Sequence, residues 1–256
     1  MRLATWNVNS LTARLPRVTE WMQLHQPDVL CLQETKQDDA KFPFGTFAEM
    51  GYEAVHHGDG RWNGVAVISR VGLLDVVRGF AHPAAEHGCR IVAATCGGVR
   101  VLSVYVPNGR SLDDAFYGIK LAWLDDLRVE LDTIGSTGDS VAVCGDFNVA
   151  PDDGDVWDPA HFVGLTHVSE PERQGLRNVE AWGLVDIFRR FNSPGVFSWW
   201  DYRGGDFHLG RGVRMDLIVV SPDLASRATA SFVDRDARKG QKPSDHAPVV
   251  VDFNES

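Results

Sequence analysis

The sequence lacks the features of a secreted or membrane-bound protein. Its 256 residues include four cysteines, Cys31, Cys89, Cys96 and Cys144, and no two of them have the C-x-x-C spacing of a zinc or redox motif. No apolar run approaches the length of a membrane span, and the first residues do not have the charged-then-apolar pattern of a signal peptide. Because Cys31 and Cys144 lie inside apolar segments, we expect reduced, buried thiols in a cytoplasmic protein.

Positive charge is also scarce. The chain has 25 lysines and arginines against 35 aspartates and glutamates, which gives a net charge of −10. This balance argues against a protein that coats nucleic acid through bulk positive charge. It is compatible with an enzyme that contacts a few phosphates locally. Carboxylates that would bind a divalent cation contribute to the negative net charge of the metal-free sequence.

Low-complexity linkers and tandem repeats are absent, and 44% hydrophobic with 23% charged residues is ordinary for a folded protein. Strand-like apolar runs alternate with helical patterns, which indicates an α/β class. Hairpin signals such as Gly97-Gly98 predict mixed sheets rather than purely parallel ones. The polar signatures described below extend from Asn7 to His246. If they form one site, residues 1–256 are a single domain.

The local patterns predict the following elements. Strands are predicted at residues 2–7, 29–32, 53–56, 64–69, 74–78, 91–96, 99–106, 141–143, 214–220 and 249–253. Helices are predicted from Pro16, which suits a first turn, to Pro27, and over residues 120–131, 178–182 and 185–191. Residues 151–175 have prolines and little periodicity, which predicts a long surface excursion with short turns.

One stretch, Cys144-Gly145-Asp146-Phe147-Asn148-Val149-Ala150-Pro151, directly follows the apolar segment Val141-Ala142-Val143. The β-branched content of that segment is typical of a buried strand. Residues i and i+2 of an extended chain point to the same side, so Asp146 and Asn148 can reach one bound ion or phosphate together. A polar turn that only ends a strand has the same composition. By itself the stretch leaves both interpretations open.

Further polar signatures stand at strand ends. They are Trp6-Asn7-Val8-Asn9, Gln33-Glu34-Thr35, Tyr105-Val106-Pro107-Asn108 and Ser244-Asp245-His246, with Arg214-Met215-Asp216 at the start of a strand or within it. Together these segments are rich in carboxylate and amide oxygens. Oxygen ligands with few imidazoles and no thiolate fit Mg²⁺ or Mn²⁺ rather than zinc. A histidine beside an aspartate suits an imidazole that acts on a phosphoryl oxygen or on a water molecule.

With these motifs in this order, and with Ser198-Trp199-Trp200-Asp201-Tyr202-Arg203 after them, the sequence resembles the exonuclease III family of abasic-site endonucleases. That family belongs to the endonuclease/exonuclease/phosphatase superfamily. Each motif alone is common, whereas the ordered set is specific and covers nearly the whole chain. The resemblance implies a four-layer α/β sandwich of the DNase I type, in which two mixed β-sheets pack face to face and helices flank them.

The resemblance also implies a metal site. Glu34 corresponds to the principal ligand, with Asp245 and Asn7 or Asn9 near it. The implied metal-binding set is Asn7, Glu34, Asp146, Asn148 and Asp245. The expected ion is Mg²⁺, with Mn²⁺ as the alternative, and the number of ions stays open.

Catalytic roles follow from the same resemblance. Asp146 corresponds to the residue that positions or deprotonates the attacking water, and Asn148 to a stabiliser of the phosphate and transition state. Asp216 corresponds to the partner that orients His246, which faces the phosphate, and Tyr105 to a phenol close to it. Whether Asp146 or His246 removes the proton of the water stays open.

The implied substrate is double-stranded DNA with abasic sites or 3′ ends. Trp199 matches the family position that packs on a flipped-out abasic sugar, and Val213 and Met215 are expected to complete that wall. Extruding a sugar without a base costs little stacking, so a tight apolar pocket can select it. Asn9 and Asn108 belong to the same expected substrate-binding surface. The protein is expected to be a monomer associated with the nucleoid, without membrane contact.

The expected function is therefore a Mg²⁺-dependent DNA-repair phosphodiesterase that cuts 5′ to abasic sites and trims 3′ ends. One alternative is a superfamily relative that hydrolyses another phosphate ester, such as a phospholipid or an inositol phosphate; the Ser198-Trp199 and Tyr105–Asn108 motifs argue against it. Another is a DNA-binding module without activity. Every expected catalytic residue type is present, which argues against that second alternative.

Overall fold

The computed structural model describes residues 1–81, 87–135 and 138–254 and contains two six-stranded mixed β-sheets. In spatial order the first sheet comprises β11 (Ala228–Val233), β12 (Val249–Phe253), β1 (Arg2–Asn7), β2 (Val29–Gln33), β4 (Val65–Ser69) and β3 (Glu53–His57). The second comprises β5 (Leu74–Arg78), β6 (Ile91–Cys96), β7 (Val99–Tyr105), β8 (Val141–Asp146), β10 (Asp216–Val220) and β9 (Val185–Asp186). One pair in each sheet is parallel, β1 with β2 and β7 with β8.

The two sheets pack face to face over a shared apolar core. Alternate residues of each strand point inward, because successive side chains of a strand lie on opposite faces. The inner face of the first sheet contributes Leu3, Cys31 and Val67, and that of the second contributes Ala94, Val101 and Ile218. This packing fixes the strand ends of the two sheets next to each other.

Helices cover both outer faces. α1 (Leu11–His25) and α2 (Phe44–Glu49) pack on the first sheet, and α3 (Ala115–Ile134) and α4 (Glu170–Glu180) pack on the second. The short helices α5 (Asp206–Leu209) and α6 (Pro222–Arg227) lie between later strands. The predicted four-layer α/β sandwich with two mixed sheets is thus confirmed. Over residues 1–81, 87–135 and 138–254, no helix combines the length and the apolar character that crossing a bilayer requires.

The predicted start of the first helix was wrong. α1 begins at Leu11, so Pro16 lies inside the helix rather than in its first turn. The backbone amides of Ser10 and Leu11 donate to the backbone oxygens of Glu34 and Thr35, at 2.7 and 2.9 Å. These bonds to the segment after β2 satisfy donors at the helix start that would otherwise be unpaired, so the helix extends beyond the position that proline alone predicts.

Two predictions in the second half of the chain were also wrong. The surface excursion ends at Ser169, because α4 starts at Glu170 behind a capping box formed by Ser169 and Glu172. Val185–Asp186 is a strand, β9, rather than part of a helix, since it pairs with Val219 and Val220 at the edge of the second sheet. In both places tertiary contacts decide a conformation that the local pattern leaves ambiguous.

Candidate active site

The site lies where the strand ends of both sheets meet. In the first sheet Asn7 is paired in register with Gln33, so the end of β1 lies beside Glu34. In the second sheet Asp146 is flanked by Tyr105 on the parallel strand β7 and by Asp216 on the antiparallel strand β10. The parallel pairs bring carboxyl-terminal strand ends to one edge, and the face-to-face packing of the sheets joins these two edges into one site.

The loops that leave these strands have unusual backbone geometry. Asn9, Glu34 and Asn148 have positive φ values of 44°, 49° and 51°, in the left-handed region that disfavours residues other than glycine. The Asn148 backbone amide donates to Asp146 Oδ1 at 2.9 Å, which stabilises one of these turns. Such strain occurs where the surrounding structure holds a side chain in a required direction.

Asn7 joins the two sheets within the site. Its Nδ2 donates to Glu34 Oε1 and to Asp146 Oδ2, both at 2.9 Å. The Tyr105 hydroxyl donates to the same Glu34 oxygen at 2.9 Å. Ligand atoms of Glu34, Asp146 and His246 all lie within 4.8 Å of one another. The structure therefore brings together side chains from both ends of the chain.

The electrostatics of the centre are dominated by buried carboxylates. Burial raises the pKa of Asp146 to about 7; the charge of His246 opposes this effect and that of Asp216 adds to it. Burial also raises the pKa of Tyr105, and the charges of Glu34 and Asp146 raise it further. Tyr105 is therefore a protonated phenol that can donate a hydrogen bond at neutral pH.

A histidine–aspartate pair lies next to Asp146. His246 Nδ1 lies 2.8 Å from Asp216 Oδ2, and His246 Nε2 lies 3.8 Å from Asp146 Oδ2. Burial alone would lower the pKa of His246, but the carboxylates of Asp216 and Asp146 outweigh it and raise the pKa to about 10. His246 is therefore an imidazolium at neutral pH, with one N–H held by Asp216 and the other directed into the site.

The donor set fits a hard divalent cation. Glu34 and Asp146 provide converging carboxylate oxygens, and the raised pKa of Asp146 shows that its negative charge is poorly compensated. A cation between them would stabilise both ionised groups. His246 completes the cluster geometrically, but as an imidazolium it has no lone pair for a metal. The residues therefore can bind a metal ion through oxygen ligands.

Asp245 and Asn9 contact each other at the side of this centre. Asn9 Nδ2 donates to Asp245 Oδ1 at 3.0 Å, and Trp199 Nε1 donates to Asp245 Oδ2 at 3.2 Å. Both Asp245 oxygens thus have partners from the protein. In this structure Asp245 connects the Asn9 loop to Trp199, at the side of the site where the substrate wall was expected.

Asn108 and Asn148 form a pair of amides next to Asp146, of which Asn108 is exposed and Asn148 is buried. Asn108 Nδ2 donates to Asn148 Oδ1 at 3.1 Å. Asn148 Nδ2 donates to the Val106 backbone oxygen at 2.9 Å and lies 3.3 Å from Asp146 Oδ2. The site therefore combines amide donors with the imidazolium and the phenol around one small space.

Trp199 stands next to His246, with ring centroids 6.5 Å apart. Its backbone forms isolated bridges with Val213 and with His246. Val213 and Met215 are 0% and 2% exposed and belong to an apolar cluster against which Trp199 packs. Trp199 is half-buried, so it presents a surface to solvent, whereas Val213 and Met215 support it from behind.

Sequence reasoning missed three residues that contact this site. Lys36 Nζ lies 3.0 Å from Glu34 Oε2 and donates to Asn9 Oδ1 at 2.6 Å. His167 Nδ1 lies 2.6 Å from the Asn148 backbone oxygen, and Lys120 Nζ donates to the same oxygen at 2.6 Å. Lys36 follows Glu34 in the same polar segment after β2, and that position in the sequence could have identified it. No local signal marked His167 or Lys120.

Comparisons with known proteins agree with this geometry. The profile of the Endonuclease/Exonuclease/phosphatase family matches residues 4–246. Exodeoxyribonuclease III of Haemophilus influenzae is 31% identical over 269 residues, which cover 99% of this chain and 100% of that protein. An exodeoxyribonuclease of Bacillus subtilis is also 31% identical, over 265 residues, with the same coverage of both chains.

Solved structures resemble the whole chain as well. An AP endonuclease from Archaeoglobus fulgidus superposes with a TM-score of 0.96 at 35% identity, and each chain covers 100% of the other. The 3′ phosphatase NExo from Neisseria, bound to a product DNA hairpin, also has a TM-score of 0.96, at 38% identity and full coverage of both chains. The likeness thus includes both the two-sheet fold and the full length of the sequence.

Proposed function

Since this chain belongs to the endonuclease/exonuclease/phosphatase family, in its exodeoxyribonuclease III branch, we propose that it is a metal-dependent DNA-repair phosphodiesterase. It cleaves duplex DNA 5′ to abasic sites and removes nucleotides or blocking groups from 3′ ends, in base excision repair. The observation that supports this most directly is the convergence of Glu34, Asp146 and His246 from distant parts of the chain. The named activities of the relatives, an AP endonuclease and a 3′ phosphatase among them, support the same reaction class.

The proposed cofactor is Mg²⁺, with Mn²⁺ as a substitute. Glu34 and Asp146 would hold it, and Asn7, Asn148 and Asp245 are the further ligands that we propose. In this structure Asn7 and Asn148 turn their amide nitrogens toward Asp146, so each amide would have to rotate to offer its oxygen. When bound, such an ion acts as a Lewis acid on a phosphoryl oxygen and stabilises the charge that develops there.

The protein side chains divide the remaining chemistry. Asp146, held by Asn7 Nδ2 and by the Asn148 backbone amide, accepts the proton of the attacking water. His246 carries a proton, so it serves as a donor to the phosphate or the leaving oxygen rather than as the base. The Asn148 amide and the Tyr105 phenol stabilise charge on the non-bridging oxygens.

The proposed substrate contacts lie on the Trp199 side of the site. The half-buried indole, with Val213 and Met215 behind it, is a surface on which a flipped-out abasic sugar can pack. Asn9 and Asn108 lie at the rim, where they can contact phosphates on either side of the scissile bond.

Several wider properties belong to the same proposal. Residues 1–256 act as one catalytic domain, because the site draws on residues from Asn7 to His246. The protein works as a monomer in the cytoplasm, at the nucleoid. The four cysteines lie in the described part of the chain and are free thiols, as suits a reducing compartment.

A duplex with one tetrahydrofuran abasic analogue, and a second duplex with a 3′-phosphate, test the proposal directly. We expect incision 5′ to the analogue and removal of the 3′-phosphate, both lost with EDTA and restored by Mg²⁺. Asp146→Asn should abolish both activities, whereas Asp132→Asn, an exposed carboxylate on α3, should leave them unchanged.

The alternative functions predict other results. Turnover of an inositol phosphate or a phospholipid that is faster than turnover of DNA would indicate a different substrate class. DNA binding without any metal-dependent cleavage of either duplex would indicate a binding module. Either outcome would overturn the proposed function.

A further inference from the structure

A fully buried ion pair lies beneath the site. Lys120, on the inner side of α3, and Glu172, in the first turn of α4, have 0% exposed side chains and contact each other through Lys120 Nζ and Glu172 Oε1. The pair supplies no ligand to the proposed metal centre and reaches it only through the backbone oxygen of Asn148. It belongs to no motif that the sequence pattern singled out.

The ammonium group of Lys120 contacts the backbone of both Asn108 and Asn148. Nζ donates to the backbone oxygen of Asn148 at 2.6 Å and to that of Asn108 at 3.3 Å. Asn108 and Asn148 are also joined by their side chains, at 3.1 Å. One cation thus links two loops that leave different strands of the second sheet.

This contact acts where the backbone is strained. Asn148 has a φ of 51°, a left-handed conformation that needs support from its surroundings. Next to Asn108, Gly109 has a φ of 87°, and a Cβ placed there would lie 3.0 Å from Lys120 Cδ. Both loops therefore take their path around the lysine side chain.

Glu172 extends the same network to the next loop. Its Oε1 accepts hydrogen bonds from Thr166 Oγ1 at 2.7 Å and from the His167 amide at 2.9 Å. Its Oε2 accepts from the Ser169 amide and hydroxyl, at 3.0 and 2.6 Å. The carboxylate therefore fixes the segment before α4 while it neutralises Lys120.

Stability alone does not account for a buried charge pair at this position. Replacing such a pair by uncharged residues of similar volume is often neutral or stabilising, because both ions lose their hydration. The Lys120 side chain is 0% exposed, so its ammonium group has exchanged water for Glu172 and the backbone oxygens of Asn108 and Asn148. The pair instead supplies a hydrogen-bond donor, Lys120 Nζ, that reaches the backbone oxygens of Asn108 and Asn148 at once.

We propose that Lys120, neutralised by Glu172, is a positioning residue that fixes the Asn108 and Asn148 loops and so directs both amide side chains toward the phosphate. The inference rests on the proposed function for its kinetic readout, and its structural readout is independent of activity. Lys120 does not contact the substrate, and it acts only through the two asparagines.

Three variants separate positioning from simple stabilisation. Lys120→Met leaves Glu172 as an unpaired buried carboxylate, and we expect the melting temperature to fall by roughly 10 °C. The double variant Lys120→Met/Glu172→Gln removes both charges and keeps a capping box, so it should recover most of that loss. Glu172→Gln alone leaves Lys120 unpaired and should be destabilised like Lys120→Met.

The kinetic expectation is different for the double variant. Its kcat on the abasic or 3′-phosphate duplex should remain about 100-fold below wild type, because moving a catalytic group by about 1 Å has an effect of that size. Its KM should change less than about threefold. Leu131→Ala, a cavity variant eleven residues beyond Lys120 on α3, is the matched control, since it destabilises the protein without altering a polar contact to either loop. Recovery of kcat together with melting temperature in the double variant would overturn the positioning role.

Hydrogen exchange gives the readout that needs no turnover. In Lys120→Met and in the double variant, amides over residues 108–111 and 147–150 should exchange at least about tenfold faster than in wild type, while Leu131→Ala should not affect them selectively. If wild type cleaves neither duplex, the proposed function fails, and the exchange result still decides the role of Lys120. Unchanged exchange at both loops would refute it.

Discussion

The charge state of His246 depends on Asp216, which leads to a sharp prediction for the variant Asp216→Asn. Asp216 is 0% exposed and lies 2.8 Å from His246 Nδ1, and its backbone amide donates to Ser198 Oγ at 3.1 Å. Asparagine has nearly the same shape, so it can accept the same hydrogen bond without the charge. The variant therefore changes the electrostatics of His246 more than its position.

The sign of the effect follows from the pKa of His246. In wild type the carboxylates of Asp216 and Asp146 overcome burial and raise that pKa to about 10, so His246 stays protonated through neutral pH. Without Asp216, burial is opposed only by the charges of Asp146 and Asp245, and the pKa of His246 falls. Loss of the proton removes general-acid assistance, which contributes about 10²- to 10⁴-fold. We expect kcat/KM of Asp216→Asn to be about 10²-fold below wild type at pH 8 and closer to wild type at pH 6.

The assay is a pH–rate profile on the abasic duplex at saturating Mg²⁺, with Asp132→Asn as the control. Wild type should hold its activity as pH rises from 7 to 9, whereas Asp216→Asn should lose activity over the same interval. A variant whose profile runs parallel to that of wild type, or whose loss is below about threefold at every pH, would refute the assigned role of the pair.

Two further predictions address substrate selection and stability. Trp199→Ala should lower kcat/KM for abasic incision by roughly tenfold, because the abasic sugar loses the apolar surface on which it packs, whereas Trp199→Phe should retain most of the activity. Equal rates for all three proteins would exclude the indole as a substrate wall. Burial lowers the pKa of His56 to about 4, against the opposing charge of Asp39, so between about pH 6.5 and 4 the unfolded chain binds a proton that the folded protein does not. The free energy of unfolding should therefore decrease as the pH is lowered through that window, by up to about 3 kcal/mol from this group. In urea titrations, the free energy of unfolding should differ less between pH 7.5 and pH 4.5 for His56→Gln than for wild type.

The sequence alone predicted the site residues that lie at strand ends. The β-branched segment before Asp146 predicted β8, and the i, i+2 spacing placed Asp146 and Asn148 on one side, as the structure has them. The ordered motifs also predicted that Asn7 and Glu34 would lie near Asp146. The first inference holds although Asn148 is left-handed rather than extended, because its backbone amide donates to Asp146 Oδ1 and keeps the two side chains together. The second rests on the ordered motifs, since only the packing of the two sheets brings Asn7 and Glu34 to Asp146.

Tertiary contacts set the remaining features, and no local pattern could predict them. Lys120 lies in an amphipathic helix, where a lysine is normally solvated, and only the approach of α4 buries it against Glu172. The burial of Val213 and Met215 behind Trp199 likewise depends on how the chain after α4 folds back over the second sheet. The same holds for β9, whose two residues become a strand only by pairing with β10.

The claim on which this account depends is that carboxylates from both sheets converge on one cation. Diffraction from crystals soaked in Mn²⁺, measured at the manganese absorption edge, tests it most directly. We expect one strong anomalous peak within coordination distance of Glu34 and Asp146, which disappears in the variant Glu34→Gln. A peak elsewhere with none between these two carboxylates, or a peak that Glu34→Gln leaves unchanged, would contradict the proposed metal centre.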